Sequence, residues 1–217
     1  MSDLIVGVNP ETGSHRDIGA YFGSSVAQQA LALETADSAI VLLDSTLVRV
    51  DLNSGQTATI AANELFRNAS GVARMPSGDI LVTVIPDKIL RVNPVDGATV
   101  LLAEGGLLWH PRAPTVENAR SVLVGTSAGP GGRLAGVLRV NVATGAQEFI
   151  ATGPFVTVAG LAIDSDGSIL VTDNGRGSPG DGFLARLDPL TGRVKVLVSA
   201  QNSNWKFLNG RSVAIVP

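Results

Sequence analysis

His15 and His110 are the only imidazoles in the chain, so a histidine general acid or base has to be one of them. His110 sits in a Trp109-His110-Pro111-Arg112 cluster that interrupts an aliphatic stretch, and it is the candidate catalytic residue. The alternative reading is a histidine that caps a loop beside Trp109. Asp173 and Asn174 place a carboxylate and a carboxamide side by side, the donor type that a hard cation such as Ca²⁺ or Mg²⁺ takes. The same Asp-Asn-Gly run is also an ordinary turn. Trp109 and Trp205 could stack on a sugar ring or a partner's side chain, or be buried between elements, with Arg112, Arg176 and Asn209 as polar contacts to a ligand. Asp164-Ser165-Asp166-Gly167 resembles the start of a calcium loop but lacks the later bidentate Glu, so it reads as a turn. Gly129-Pro130-Gly131-Gly132 lacks the Lys-Ser/Thr of a phosphate loop and reads as a flexible loop.

These residues have to be held by a scaffold, and the chain spells one out by repetition. A ten-residue pattern occurs five times: LIVGVNPETG, TLVRVDLNSG, KILRVNPVDG, GVLRVNVATG and FLARLDPLTG, ending at Gly13, Gly55, Gly97, Gly145 and Gly192. Each copy reads as an apolar strand running into a tight turn whose glycine supplies positive φ, followed by a second apolar strand. Upstream lies another strand, polar turn, strand unit: GVARMPSGDILVTV from Gly71, GLAIDSDGSILVTD from Gly160, and degraded forms from Leu31 and Pro114. Four short antiparallel strands, A to D, recurring every 42 to 48 residues describe the blade of a β-propeller. The expected fold is therefore all-β, one propeller domain over 1–217 with five four-stranded repeats. The fifth blade is incomplete: its C strand is Leu4 to Val8, its A strand is the C-terminal SVAIVP, and no B strand belongs to it. The N- and C-terminal strands would close the ring, or another chain would complete it.

Composition narrows the function. Of 217 residues, 45% are hydrophobic and 16% charged, which favours a folded core over disorder. A net charge of −3 argues against a duplex nucleic-acid binder, which needs a cationic surface. No apolar run is long enough to span a membrane, and the N-terminus lacks the basic and apolar regions of a signal peptide, so a soluble chain of undetermined compartment is expected. The absence of cysteine excludes disulfides and thiolate metal sites.

The pattern G-[VL]-A-x-x-x-x-G-x-I-L-V-T-D, followed by R-[VL]-[ND]-P-x-[TD]-G, resembles the NHL-repeat and SMP-30/gluconolactonase-like propellers and the streptogramin-lyase-like group within that superfamily. Resemblance to the gluconolactonase-like enzymes implies one divalent cation in the central channel, held by a Glu, Asn residues and an Asp. Asn209-Gly210 before the last A strand and Asp173 after a B strand match that arrangement; Ser70-Gly71 and Ala159-Gly160 stand at the corresponding place in other repeats, and Glu34 and Glu117 are the available Glu residues. Resemblance to the lyase-like group implies a His with an acidic residue and Mg²⁺, hence His110.

In a propeller the D-A and B-C loops emerge on one face and the A-B and C-D turns on the other. Asn9, Glu11, His15, Asp51, Asn53, Asp96, Thr144, Asp166 and Thr191 fall on the turn face, where geometry accounts for them. The loop face collects the irregular material: Arg67 and Asn68, Trp109 to Arg112, Thr126 to Gly136, Asp173 to Phe183 and Asn202 to Arg211. Three functions are consistent with this: a binding module for a small molecule, glycan or protein segment on that face; a metal-dependent lactonase, hydrolase or lyase using Asp173, Asn174, Asn209 and His110; or an assembly module that self-associates through the incomplete blade.

Overall fold

A computed structural model describes residues 5–9, 11–18, 28–175, 182–199 and 213. Four antiparallel sheets of four strands follow one another along the chain, each in simple A-B-C-D order. Blade 1 is β3 (Gln28–Thr35), β4 (Ser38–Leu43), β5 (Thr46–Asp51) and β6 (Thr57–Ala62). Blade 2 is β7 (Ala69–Arg74), β8 (Ile80–Val84), β9 (Lys88–Val92) and β10 (Thr99–Glu104). Blade 3 is β11 (Arg112–Asn118), β12 (Ser121–Thr126), β13 (Gly136–Asn141) and β14 (Gln147–Ala151), and blade 4 is β15 (Val158–Ile163), β16 (Ile169–Asp173), β17 (Phe183–Leu187) and β18 (Val194–Ser199). The fifth repeat contributes a two-stranded sheet, β1 (Val6–Val8) and β2 (His15–Asp17), its C and D strands. The expected C-terminal A strand lies outside the described residues apart from Val213. Among the described residues no helix is long and apolar enough to cross a membrane.

The B and C strands read as continuous apolar runs because neighbouring blades cover them, on both faces in blades 1 to 3 among the described residues. All five residues of β8 are buried. Residues of one parity pack against the preceding blade and the other parity against the next, so every hydrophobic cluster is a seam: Ile5 and Ile18 of the short sheet with Val41 and Val50 of blade 1, Leu42 and Leu47 of blade 1 with Ile80 and Val82 of blade 2, Leu81 and Ile89 of blade 2 with Val122 and Leu138 of blade 3, and Leu123 and Val137 of blade 3 with Ile169 and Val171 of blade 4. Outer D strands lose this cover, and Val100 and Leu101 of β10 are about half exposed.

The repeated C-D turn is explained atom by atom. The Asn or Asp that opens it turns its Oδ1 back onto the turn: Asn9 accepts from the Glu11 and Thr12 amides, Asp51 from Asn53 and Ser54, Asn141 from Ala143 and Thr144, and Asp188 from Leu190 and Thr191. The glycine four residues on has φ near +70°, and at Gly97, Gly145 and Gly192 a Cβ would come within 2.5–2.6 Å of a carbonyl in the preceding blade's D strand. Glycine is therefore required there twice, by backbone conformation and by the approach of the next blade.

A second recurring device joins the inner and outer strands of each blade. The arginine at the middle of the C strand pairs with an acid at the end of strand A or in the A-B turn: Arg49 with Glu34, Arg139 with Glu117, Arg186 with Asp164 and Asp166, and, more loosely at 3.9 Å, Arg91 with Asp79. Glu34 and Glu117 thus stand at the turn end of their A strands, committed to arginines, rather than at the loop end where a channel ligand would enter.

Candidate functional site

The strand directions put the D-A and B-C loops together on one face, as the repeat implies, and backbone hydrogen bonds join several of these loops into a continuous ledge. The 105–111 segment, arriving from blade 2, is held by the His110 amide donating to the Pro86 carbonyl at 2.7 Å and by the Ser127 amide donating to the Trp109 carbonyl at 3.0 Å. The blade 3 B-C loop is in turn joined to the segment entering blade 4 through the Ala128 amide and the Val156 carbonyl, 2.8 Å apart. That segment is tied to the end of β16 through the Asn174 amide and the Thr157 carbonyl, at 2.9 Å. The glycine-rich 129–132 segment is a 3₁₀ turn, Pro130–Gly132, closed by a Gly129–Arg133 bridge, so it is a shaped part of the ledge.

Trp109 is the hub of this ledge. His110 stacks on its indole with ring centroids 4.6 Å apart and planes at 17°, and the Arg133 guanidinium carbon lies 4.5 Å from the ring centroid. Gly129 abuts the indole so closely that a Cβ there would fall 2.0 Å from Nε1. The ring surface that could have stacked on a sugar is therefore largely taken by the protein's own groups. His110 has a positive φ of 48°, and burial first, then the charge of Arg112, lower its pKa below the ordinary 6.5. A lowered pKa favours the neutral imidazole, the form that can accept a proton or a hydrogen bond. Arg112 opens β11, half-buried, opposite Gly125.

Asp173 ends β16 with its carboxylate buried at 2% exposure. Oδ2 accepts the Val156 and Thr157 amides at 3.0 and 2.9 Å, and Oδ1 accepts the Gly175 amide at 2.7 Å. Burial raises its pKa, against the downward pull of these three bonds. A carboxylate offers about four acceptor positions, so one remains. Asn174 is different: its Oδ1 is buried without a hydrogen-bond partner among the described residues. Ser127 Oγ on the same ledge is likewise buried and unpartnered. Together Asp173 and Asn174 present about two oxygen donors, short of the six to eight that Ca²⁺ takes. Asn209, Arg176 and Trp205 lie outside the described residues. Among the described residues no group of three or more His, Asp or Glu side chains could hold a metal ion.

The four A strands surround a central cavity of about 300 Å³. Its walls are small side chains and backbone, including Ala30, Gly71, Ala113 and Gly160, with Ser70 and Thr115 as the hydroxyls. Ser70 donates toward the Pro111 carbonyl, and Thr115 lies within hydrogen-bond distance of the Ala113 and Leu161 carbonyls, 3.1 and 3.2 Å away. At Gly71 a Cβ would lie 2.3 Å from Pro114, so neighbouring A strands approach too closely there for any side chain. Ser70-Gly71 and Ala159-Gly160, which stand where the gluconolactonase resemblance places Asn-Gly, line this channel and bring no carboxylate or imidazole to it, while the Asp173 carboxylate is turned onto the Val156, Thr157 and Gly175 amides.

Outside the channel a smaller cleft of about 230 Å³ lies between the end of blade 2 and the blade 3 B-C loop, lined by Leu107, Leu134, Phe149, Arg133 and three glycines. Leu134 is about half exposed, and Arg133 makes no ion pair among the described residues. Arg133 was not marked by any local pattern, since its partner Trp109 belongs to the preceding loop.

No family model and no curated protein matches the chain. Solved structures do. A nidogen/laminin complex contains a chain that superposes with a TM-score of 0.72 at 18% identity, covering 88% of this chain and 73% of that one. The fold is a β-propeller. Virginiamycin B lyase from Staphylococcus aureus matches at TM-score 0.58 and 11% identity, covering 78% of this chain and 55% of the lyase. The extracellular domain of a putative hybrid two-component system from B. thetaiotaomicron matches at 0.63 and 15%, covering 96% of this chain and 27% of that one. At the level of fold these likenesses agree with the resemblance to NHL and streptogramin-lyase-like propellers. At such identities they reach no further than the propeller itself.

Proposed function

We propose that this propeller is a binding module that holds a segment of a partner protein on its loop face, at the cleft beside Trp109. The observation that carries the reading is the ledge itself: a hydrogen-bonded set of loops presenting a small apolar cleft next to Arg133, whose guanidinium lies against Trp109 and makes no ion pair among the described residues. About 230 Å³ suits a single side chain better than a whole small molecule, for which pockets run from about 300 to 1,000 Å³. The occupant is an apolar side chain with a carboxylate beside it, the first against Leu107, Leu134 and Phe149 and the second on Arg133. A similar propeller structure comes from a complex of two proteins, which supports the choice of a protein partner. The experiment is selection from a displayed random-peptide library, with Arg133→Glu as the counter-screen. Enrichment of peptides pairing an apolar with an acidic residue, lost on Arg133→Glu, is expected; no enrichment, or enrichment indifferent to that change, refutes the reading.

One observation favours a second reading, a metal-dependent hydrolase or lyase: the orphaned Asn174 Oδ1 next to Asp173. Melting of EDTA-treated protein with and without millimolar Ca²⁺, Mg²⁺, Mn²⁺ or Zn²⁺ separates the two, because an ion that binds only the folded state raises the transition. A saturable rise abolished by Asn174→Ala selects the metal-dependent reading. A flat response selects the binding module.

A further inference from the structure

The blades can be compared with one another at the turn end of their A strands. Glu34, Met75, Glu117 and Asp164 occupy one structural position in blades 1 to 4, and the residue just before that position, Arg74, Val116 or Ile163 in blades 2 to 4, faces back toward the preceding blade. At the first seam a carboxylate meets a guanidinium: Arg74 Nε lies 3.5 Å from Glu34 Oε1. At the second an apolar group meets an apolar group, Met75 and Val116 packing in one cluster. At the third the match fails. Ile163 packs into the apolar cluster of the seam, and among the described residues Glu117 has hydrogen-bond and ion-pair partners from its own blade only.

Glu34 and Glu117 are otherwise built alike. Glu34 accepts Arg49 at 2.6 and 3.0 Å and Ser38 at 3.2 Å; Glu117 accepts Arg139 at 2.7 and 2.6 Å and Ser121 at 2.6 Å. Glu117 has every partner that Glu34 has except the cation from the next blade. Beside Glu117 the surface opens into a cavity of about 560 Å³, lined by Glu117, Ser121, Arg139, Asn141 and Glu148, with the exposed Arg120 at its rim. This volume is within the range of ligand sites. Glu148 adds a carboxylate that blade 1 lacks, since Ala58 stands in its place opposite Arg49. The first seam therefore sets two guanidinium groups on one carboxylate, and the third sets one on two.

We propose that this cavity, lined by blade 3 beside Glu117, binds a guanidinium group, the cation that Arg74 supplies from within at the seam of blades 1 and 2. It lies on the turn face, remote from the loop-face ledge, and is independent of the function proposed there. Glu117 faces one side of the guanidinium as Glu34 faces Arg74, an ion pair at 3.5 Å in which Arg74 Nε makes no hydrogen bond among the described residues, and the exposed Glu148 faces the other side. A planar fork matches paired carboxylates better than an ammonium point charge does, so arginine is preferred over lysine.

The test is an NMR titration of the whole chain with N-acetyl-arginine amide, with the same arginine inside a capped Gly-Arg-Gly peptide, and with N-acetyl-lysine amide as comparator. Saturable shifts at the Glu117 and Ser121 amides, stronger with arginine than with lysine, are expected. Equal affinity of the amide and the peptide identifies a small guanidinium compound as ligand; tighter peptide binding identifies an arginine of a partner chain. Ile163→Arg puts the missing cation in place from inside and should abolish binding. Glu148→Gln, an exposed change that leaves the blade intact, should weaken it about two- to fivefold. Absence of saturable shifts with arginine in the millimolar range, or affinity unchanged by both substitutions, overturns the proposal.

Discussion

Asp173→Ala is the substitution whose consequence differs most between a structural and a metal-ligating carboxylate. In the folded chain this side chain accepts three backbone N–H groups, two from the segment that leads into β15 and one from Gly175. Truncation leaves those donors without a partner. An unsatisfied donor costs about 1 to 3 kcal/mol; taking about 1 for each of the two part-buried amides and about 2 for the buried Gly175 amide gives about 4 kcal/mol. Relief of the burial penalty on the charge, which raises the Asp173 pKa, takes back part of this, leaving about 3 kcal/mol. For a domain of this size that is a fall in melting temperature of about 6 to 12 °C. The assay is differential scanning calorimetry in EDTA, with urea unfolding as a second measure. Because the role is to satisfy backbone donors, the whole loss should appear without any divalent ion. Asp173→Asn keeps one accepting oxygen and should lose about half as much. A loss below about 1 kcal/mol in EDTA would refute the reasoning, since the three amides would then be adequately solvated without the carboxylate.

Gly145→Ala should destabilise by about 2 to 4 kcal/mol, because it combines a left-handed φ of 71° with a Cβ placed 2.5 Å from the Leu102 carbonyl, whereas Gly167→Ala, equally left-handed but in open space, should lose about 1 to 2; urea midpoints of the pair isolate the effect of blade approach. Arginine contacts hold the Glu34 and Glu117 carboxyls below their ordinary value of 4.5, so both contribute stability above that pH and lose it as pH falls through the lower folded values. Denaturant unfolding from pH 7 to pH 3 should show the wild type losing more than Glu34→Gln, with the two curves converging in acid. His110 should titrate below 6.5 by NMR, and Arg112→Met should raise its pKa while leaving it below 6.5, because burial is the larger cause and persists. A His110 pKa unmoved by Arg112→Met would show that the arginine's charge is not felt at the ring.

Local chemistry explains why the sequence alone determined so much of the fold. An Asn or Asp that folds onto its own turn, a glycine four residues later and apolar strands on either side are all short-range requirements, and they recur at Asn9, Asp51, Asn93, Asn141 and Asp188 with the period of a blade. The sorting of polar residues into a turn face and a loop face followed from strand order. What the tertiary structure decided was which groups are still free to do chemistry. Asp173 and Asn174 are neighbours in sequence with similar oxygens, yet the carboxylate is largely taken by backbone amides, two of them from another segment, while the carboxamide oxygen is buried without a partner among the described residues. Trp109 looked like a stacking platform, and its ring is instead engaged by His110 and by Arg133 of the next loop. The contrast between Glu34, which pairs with Arg74 of the next blade, and Glu117, for which the next blade has Ile163 at the position of Arg74, is likewise invisible along the chain, because it depends on the register in which one blade meets the next. Hydrogen bonds within a turn connect residues two to four apart and leave a pattern in the sequence; contacts across a seam join residues dozens apart and leave none.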